Sequence, residues 1–281
     1  MVISDFDRVR LNGVMIDPDM VKVTENYGCR VKILITPDTG SALTACQVMY
    51  LSPGDMYPVH LHPVSEDVII VFKGRGEVFV GDRWYEVEEG DVIYSPEYVK
   101  HGVRNPSSNE NLFICYNWQV PYISDFNCLP GAKDQFFDVK VSPAISLAWR
   151  GKFDARIPDT GFISHINCGA LFVEYGAPMR FIVWPGMGAR KVSLHRAEHP
   201  PGFEFKVHVH PDAEDTILAF RGNGQGYLGD RWIDMKEGYV LYAPKGVKHG
   251  TRNQFSTGTP FICTGAAAPP QSDLYRLAGY L

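Results

Sequence analysis

The chain lacks the marks of several protein classes. Its six cysteines (Cys29, Cys46, Cys115, Cys128, Cys168 and Cys263) form no C-x-x-C pair, and a chain of 281 residues buries enough core to fold without disulfides. Reduced, mostly buried thiols are expected, with no disulfide framework and no catalytic cysteine. No apolar run reaches the roughly 18 residues of a transmembrane helix. Positive charge is not in excess: the formal net charge is −5, which argues against the basic footprint of a nucleic-acid binder. The opening "MVISDFDRVR" has no basic stretch followed by an apolar one, so no secretory leader is expected and a cytoplasmic location is. Amphipathic helices are scarce as well; only "SDLYRLAGYL" at the end suggests a short one.

What the chain does have is one unit written twice. "HLHPVSEDVII" begins at His60 and "HVHPDAEDTIL" at His208, an offset of 148 residues. The same offset joins Tyr27 to Tyr175, Pro37 to Pro185, Gly40 to Gly188, "GDRW" at Gly81 to "GDRW" at Gly229, "FIC" at Phe113 to "FIC" at Phe261, and Asp125 to Asp273. About one hundred residues align without a gap, roughly a third of them identical, as expected of a duplicated domain. The boundaries read as an N-terminal arm at 1–25, a first domain at 26–125, a linker with an exchanged segment at 126–171, and a second domain at 172–281. Arm and linker are expected to wrap the cores or cover strand edges.

Within each copy, β-branched and aromatic runs alternate with Gly, Pro and Asp, and Gly-Asp in "VGDRW" and "LGDRW" marks hairpins. Short strands without crossover helices predict an all-β sandwich or barrel. Gly74, Gly76, Gly222 and Gly224 read as turn glycines, since no helix follows them to make a phosphate loop. Trp84 and Trp232 read as packing residues, and Arg104 and Arg252 as outward residues in salt bridges or an interface.

Side chains two apart on a strand share a face, so His60 projects with His62, and His208 with His210. Glu66 shares a face with Val68, Ile70 and Phe72; a glutamate heading an inward apolar face is costly unless paired or metal-bound. "GDVIYSPEYVKHGVRN" adds His101, and "GYVLYAPKGVKHGTRN" adds His249. Two imidazoles and a carboxylate, with a third imidazole, suit a divalent transition metal. His165, His195 and His199 fall outside the pattern and read as solvated or core polar residues.

These strings resemble the two motifs of the cupin superfamily. The first motif is Gly, five residues, His-x-His, three or four residues, then Glu; Gly54, His60, His62 and Glu66 match it, as do Gly202, His208, His210 and Glu214. The second is Gly, five residues, Pro-x-Gly, two residues, His, three residues, Asn; Gly238, Pro244, Gly246, His249 and Asn253 match throughout. Gly90, Pro96, His101 and Asn105 match too, but Tyr98 replaces the turn glycine. The resemblance implies a bicupin: two tandem double-stranded β-helix (jelly-roll) barrels, each holding one metal through three His and one Glu. The family uses Fe, Mn, Ni, Cu, Co or Zn, with Fe or Mn favoured here. Bicupins also tend to pack their barrels face to face, and a homo-oligomer is expected.

Around the metals the copies differ. Met56, Tyr57 and Pro58 become Glu204, Phe205 and Lys206, which suggests one catalytic and one structural pocket. Oxalate-degrading bicupins carry an arginine three residues after the first motif's glycine, and Tyr57 or Phe205 stands there instead. Tyr57 and Glu204 are the candidate acid–base groups; Tyr94, Phe205 and Tyr242 are candidate pocket residues. The expected activity is dioxygenation of a small chelating phenolic or diketone-like substrate. Non-redox isomerase, lyase or aminohydrolase chemistry, and a ligand-binding or storage role, are the alternatives.

Overall fold

The computed structural model describes residues 5–106, 111–122, 135–139, 142–146, 160–174 and 177–280. Cys128 and Asp125, together with much of the expected linker, lie outside the described residues. The five described cysteines are free. Burial pushes the Cys29 thiol up to about 11 and those of Cys46 and Cys115 higher still, so none of these three is a nucleophile near neutral pH. No helix among the described residues is long and apolar enough to cross a membrane.

Each repeat is a jelly roll of one long and one short antiparallel sheet. In the first, the seven-stranded sheet runs Phe162–His165, Asp91–Ser95, Glu66–Lys73, Phe113–Val120, Ala45–Leu51, Cys29–Ile35, Thr24–Asn26. It faces a five-stranded sheet containing Met56–Leu61, His101–Arg104 and the hairpin Arg75–Val80/Arg83–Glu88. The second repeat has a seven-stranded sheet built on Glu214–Arg221, Phe261–Ala268 and Ser193–His199, opposite a three-stranded sheet. The Gly-Asp hairpins form as expected, with Val80 opposite Arg83 and Leu228 opposite Arg231. Trp84 is fully buried under the Arg104 guanidinium, and Arg252 covers Trp232 in the same way. Two short helices flank the barrels, Asp5–Asn12 in the arm and Ser272–Leu277 near the end.

Strand alternation divides the long sheets between two cores. On Glu66–Lys73, Ile69 and Val71 face the interior of their own barrel. Val68 and Ile70 face the other way, into a core they share with Leu218, Phe220, Val240 and Tyr242 of the second repeat. The central strands are therefore apolar on both faces, and the two repeats pack long sheet against long sheet.

The edges are exchanged. Val14–Ile16 pairs with Val240–Ala243 of the second repeat, Val14 opposite Tyr242. Phe162–His165 pairs with Asp91–Ser95 of the first, Phe162 opposite Tyr94. Val14 and Phe162 stand 148 residues apart, as do Tyr94 and Tyr242. The duplicated unit thus begins with a strand that closes the partner repeat's sheet and covers an edge that would otherwise pair freely.

Tyr98, at the motif's glycine position, keeps the backbone that the glycine would have. Its φ is 63°, against 78° for Gly246, and its N–H donates to His62 O at 2.9 Å, as that of Gly246 donates to His210 O. A side chain in the left-handed region costs about 1–2 kcal/mol, and the Tyr98 ring is exposed, so it recovers little by burial. Tyr98→Gly is expected to stabilise the protein by roughly 0.5–1 kcal/mol after the extra unfolded-state entropy of glycine, read as a higher Tm in thermal denaturation.

Candidate metal centres

Each repeat draws its histidines together across neighbouring segments of backbone, with His249 bridged to His208 in the second. In the first, His101 pairs directly with His60 across neighbouring strands, and His62 follows just beyond the strand end. The ring centroids are 4.3 Å (His60–His101), 4.8 Å (His60–His62) and 4.9 Å (His62–His101) apart. All three are buried. His60 Nδ1–H donates to Pro58 O, and His101 Nδ1–H to Val99 O, both at 2.9 Å. These bonds fix the tautomer and leave Nε2 of each ring as the lone-pair donor. The Gln119 side-chain amide lies 3.1 Å from His62 Nδ1; with its oxygen turned to the ring it accepts the Nδ1–H and leaves Nε2 as the inward lone pair.

The carboxylate in this cluster is Asp67. Its Oδ2 lies 3.2 Å from His62 Nε2 and 3.3 Å from His101 Nε2. Donor atoms of His60, His62, Asp67 and His101 all fall within 4.8 Å of one another. Burial pushes the Asp67 carboxyl up, but the adjacent His101 and His62 rings outweigh it and hold the group well below the ordinary carboxylate range. Asn117 Nδ2–H donates to the other oxygen, and Gln47 Nε2–H to Asn117 Oδ1 at 3.2 Å. Burial, then the neighbouring His101 and His62, push the His60 imidazole well down, so it stays neutral. Neutral imidazoles converging on one anionic oxygen fit a divalent metal.

Glu66 and Glu214, expected as metal ligands, are corrected. Glu66 accepts from the backbone N–H groups of Arg190 (2.7 Å), Lys191 (2.9 Å) and Val192 (3.2 Å) in the other repeat. Glu214 accepts from Ala42 (2.8 Å), Leu43 (3.0 Å) and Thr44 (2.6 Å), and from the Tyr242 hydroxyl at 2.8 Å. The two triplets of donors are again 148 residues apart, so the glutamates form a reciprocal latch between repeats. Each does share a face with the apolar residues of its strand, but that face is the inter-repeat one. Asp67 and Asp215, one residue on, face the barrel interiors. The motif's longer spacing, with four residues between the second histidine and the carboxylate, lands on them.

The second cluster comprises His208, His210 and His249. His208 Nε2 is 3.0 Å from His210 Nε2, and the His208 and His249 ring centroids are 4.5 Å apart. Asp215 Oδ2 stands 3.5 Å from His249 Nε2. His208 and His249 donate from Nδ1 to the carbonyls of Lys206 and Val247, both at 2.9 Å. Burial pushes His208 down to about 4 and His210 to about 3. His249 Nε2, which faces the cluster, is buried without a hydrogen-bond partner, and a neighbouring cation would compensate it.

The two surroundings diverge. The first cluster opens into a cavity of about 270 Å³, the second into one of about 20 Å³. At the positions of Gln47, Asn117 and Gln119 the second repeat has His195, Gly265 and Ala267. A Cβ on Gly265 would stand 2.4 Å from the His195 ring, so that ring fills the volume Asn117 takes in the first barrel. The first cavity's mouth is aromatic: Tyr27, at φ 51° in a hairpin turn, lies 4.7 Å from Phe136, which stacks on His60 at 5.7 Å. Phe136 belongs to Gln135–Phe136, a linker strand added beside Met56–Leu61.

Among the other candidates, Tyr57 lines the first cavity and accepts from Asn26 Nδ2–H at 3.0 Å. Phe205 lines the second, its ring 5.3 Å from His208. Tyr94 and Tyr242 line neither; they pack in the inter-repeat core beside Glu66 and Glu214. Glu204 is at the surface, 3.1 Å from Arg252, away from both clusters. His195 is a buried polar residue and lines the second cavity. His165 Nδ1 accepts from Asn167 N–H at 3.1 Å.

His199 is a core residue whose ring lies 2.7 Å from Thr251 Oγ1, and burial pushes its pKa from 6.5 to about 4. Between those values the unfolded chain binds a proton that the folded one refuses. Stability therefore falls as pH drops from about 6.5 towards 4 and levels off below, a loss of roughly 3 kcal/mol from this residue. His199→Gln is expected to lessen the pH 7-to-4 loss by about that amount in urea titrations; an unchanged slope would show that His199 is not a source of it.

Comparison with known proteins agrees with this architecture. The cupin domain model matches residues 47–116 and 195–264. Protein SchB of Streptomyces halstedii is 31% identical over 93 residues, 33% of this chain and 67% of that protein. A probable oxalate decarboxylase of Arthroderma benhamiae is 29% identical over 90 residues, 30% of this chain but only 22% of its own length. Among solved structures, Ylba from E. coli superposes with a TM-score of 0.66 at 14% identity, covering 95% of this chain and 93% of its own. Lactobacillus farciminis oxalate decarboxylase gives 0.64 at 16% identity, covering 91% and 86%. The chain belongs to the cupin superfamily and is a bicupin.

Proposed function

We propose that the first repeat is the catalytic centre of a metal-dependent dioxygenase acting on a small, uncharged, chelating substrate of phenolic or diketone type. The observation that carries this reading is the asymmetry of two like donor sets: one opens into about 270 Å³, the other into about 20 Å³. The open cavity has no lysine or arginine in its wall among the described residues. A carboxylate substrate would be left without a charge-assisted partner there, and Tyr57 stands where oxalate-degrading relatives carry arginine.

A divalent ion, iron or manganese in this reading, would be held by His60, His62, His101 and Asp67 and would supply a redox-active Lewis-acid centre for a chelating substrate and dioxygen. The chain's own residues do the rest. Asn117 and Gln47 fix the Asp67 carboxylate, and Gln119 orients His62. Asn26 positions the Tyr57 hydroxyl at the cavity wall. Tyr27 and Phe136 present ring faces at the mouth to a flat substrate.

The test is an oxygen-electrode assay of the Fe- and Mn-loaded protein against catechol and 1,3-diketone panels. Substrate-dependent oxygen uptake that disappears in His101→Ala supports the proposal. Turnover that persists without oxygen would overturn the dioxygenase and assign the same cavity to lyase, isomerase or aminohydrolase chemistry. Binding without turnover would leave it a ligand-binding module.

A further inference from the structure

We propose that the second cluster is a closed structural metal site in which the Gln271 side-chain amide supplies a donor, so that the bound ion staples the C-terminal segment to its barrel. This site is separate from the cavity assigned to catalysis and does not rest on that assignment.

Three observations carry it. The Gln271 amide lies 2.9 Å from His210 Nε2, the atom that in turn faces His208 Nε2 at 3.0 Å. An amide presents its oxygen in place of its nitrogen by a half-turn about its last bond, and oxygen is the atom a cation draws inward. The cavity at this point measures about 20 Å³, enough for one water-sized occupant and too small for a substrate. Finally, His249 Nε2, the atom its ring turns towards the cluster, is buried without a hydrogen-bond partner, so a lone pair stands there for an ion to take up. Three imidazoles with carboxylate and amide oxygens suit a borderline divalent ion such as zinc, cobalt or nickel.

Gln271 immediately precedes the helix Ser272–Leu277. Leu274 is fully buried in the second barrel's core, and the Tyr275 hydroxyl donates to Arg190 O at 2.5 Å. The Arg190 N–H donates to Glu66. The tail is thus pinned at Gln271, Leu274 and Tyr275, and its last tie reaches the latch between repeats. Removing the ion takes away the first of these ties.

The experiment uses the full chain, stripped with chelator and titrated with Co(II) while the visible absorption is followed. Trypsin cleavage after the exposed Arg276 is read in parallel by mass spectrometry. His249→Ala serves as the second-site knockout and Gln271→Glu as the conservative replacement. Wild type is expected to take up two equivalents and His249→Ala one. Gln271→Ala should bind the second equivalent at least about tenfold more weakly, with an altered cobalt spectrum. Gln271→Glu should restore the affinity. Metal should slow cleavage at Arg276 several-fold in wild type and Gln271→Glu, but not in His249→Ala. Circular dichroism of the stripped Gln271→Ala protein checks that it is folded, and Gln271→Glu reads the same position if it is not. A Gln271→Ala titration and spectrum identical to wild type would overturn the proposal, as would metal protection of Arg276 that survives in His249→Ala.

Discussion

Asp67→Asn is expected to lower the metal affinity of the first site by about 100-fold or more, whereas Glu66→Gln leaves that affinity within a few-fold of wild type. Loss of an outer partner alone typically costs about 10–100-fold, and Asp67 is the sole anionic oxygen among the converging donors. The amide keeps the shape of the carboxylate and removes the charge that balances the ion. Glu66 spends both its oxygens on backbone amides of the other repeat and has none to offer. Competition with a chromophoric chelator measures both variants. Were Glu66→Gln to empty the site while Asp67→Asn retained its metal, the assignment of the two carboxylates would be reversed.

The glutamate latches carry the other large expected effect. Glu214→Ala leaves three backbone N–H groups and the Tyr242 hydroxyl without their acceptor, and Glu66→Ala strips three N–H groups. At roughly 1–3 kcal/mol for each buried donor left unsatisfied, with the partly buried ones regaining water, losses of about 4 and 3 kcal/mol respectively are expected. Chemical denaturation provides the check. Either variant unfolding within 1 kcal/mol of wild type would mean that the latch is replaceable by solvent. Burial outweighs the N–H donors and raises the Glu66 carboxyl above its ordinary value. Ionised Glu66 thus gains less from folding than its bonds alone suggest, which is why its replacement is given the smaller figure.

Much of this was written locally. The repeat, the Gly-Asp hairpins and the six clustered histidines follow from spacing alone, because strand alternation and turn chemistry are short-range. The carboxylates show where local reading stops. Glu66 and Asp67 lie on opposite faces of a strand that is apolar on both, so its pattern gives no sign of which face is the barrel interior; the other repeat decides that by covering one of them. The exchanged strands are hidden for a related reason: "VMI" and "FIS" occupy equivalent places without a shared residue, since an edge strand is specified chiefly by backbone pairing. Closure of the second site depends on register. His195 fills its space because it stands opposite Gly265, a neighbour far away in sequence.

The crossed edge strands bear on how the chain can be divided. Cut between its repeats, neither fragment would carry the strand that finishes its own long sheet, for Val14–Ile16 leaves with one half what the other half needs, and Phe162–His165 does the converse. Each would display a bare row of amides and carbonyls along Asp91–Ser95 or Val240–Ala243 and would tend to self-associate through it. Made together, the fragments would find in each other the one complement that fits both edges at once.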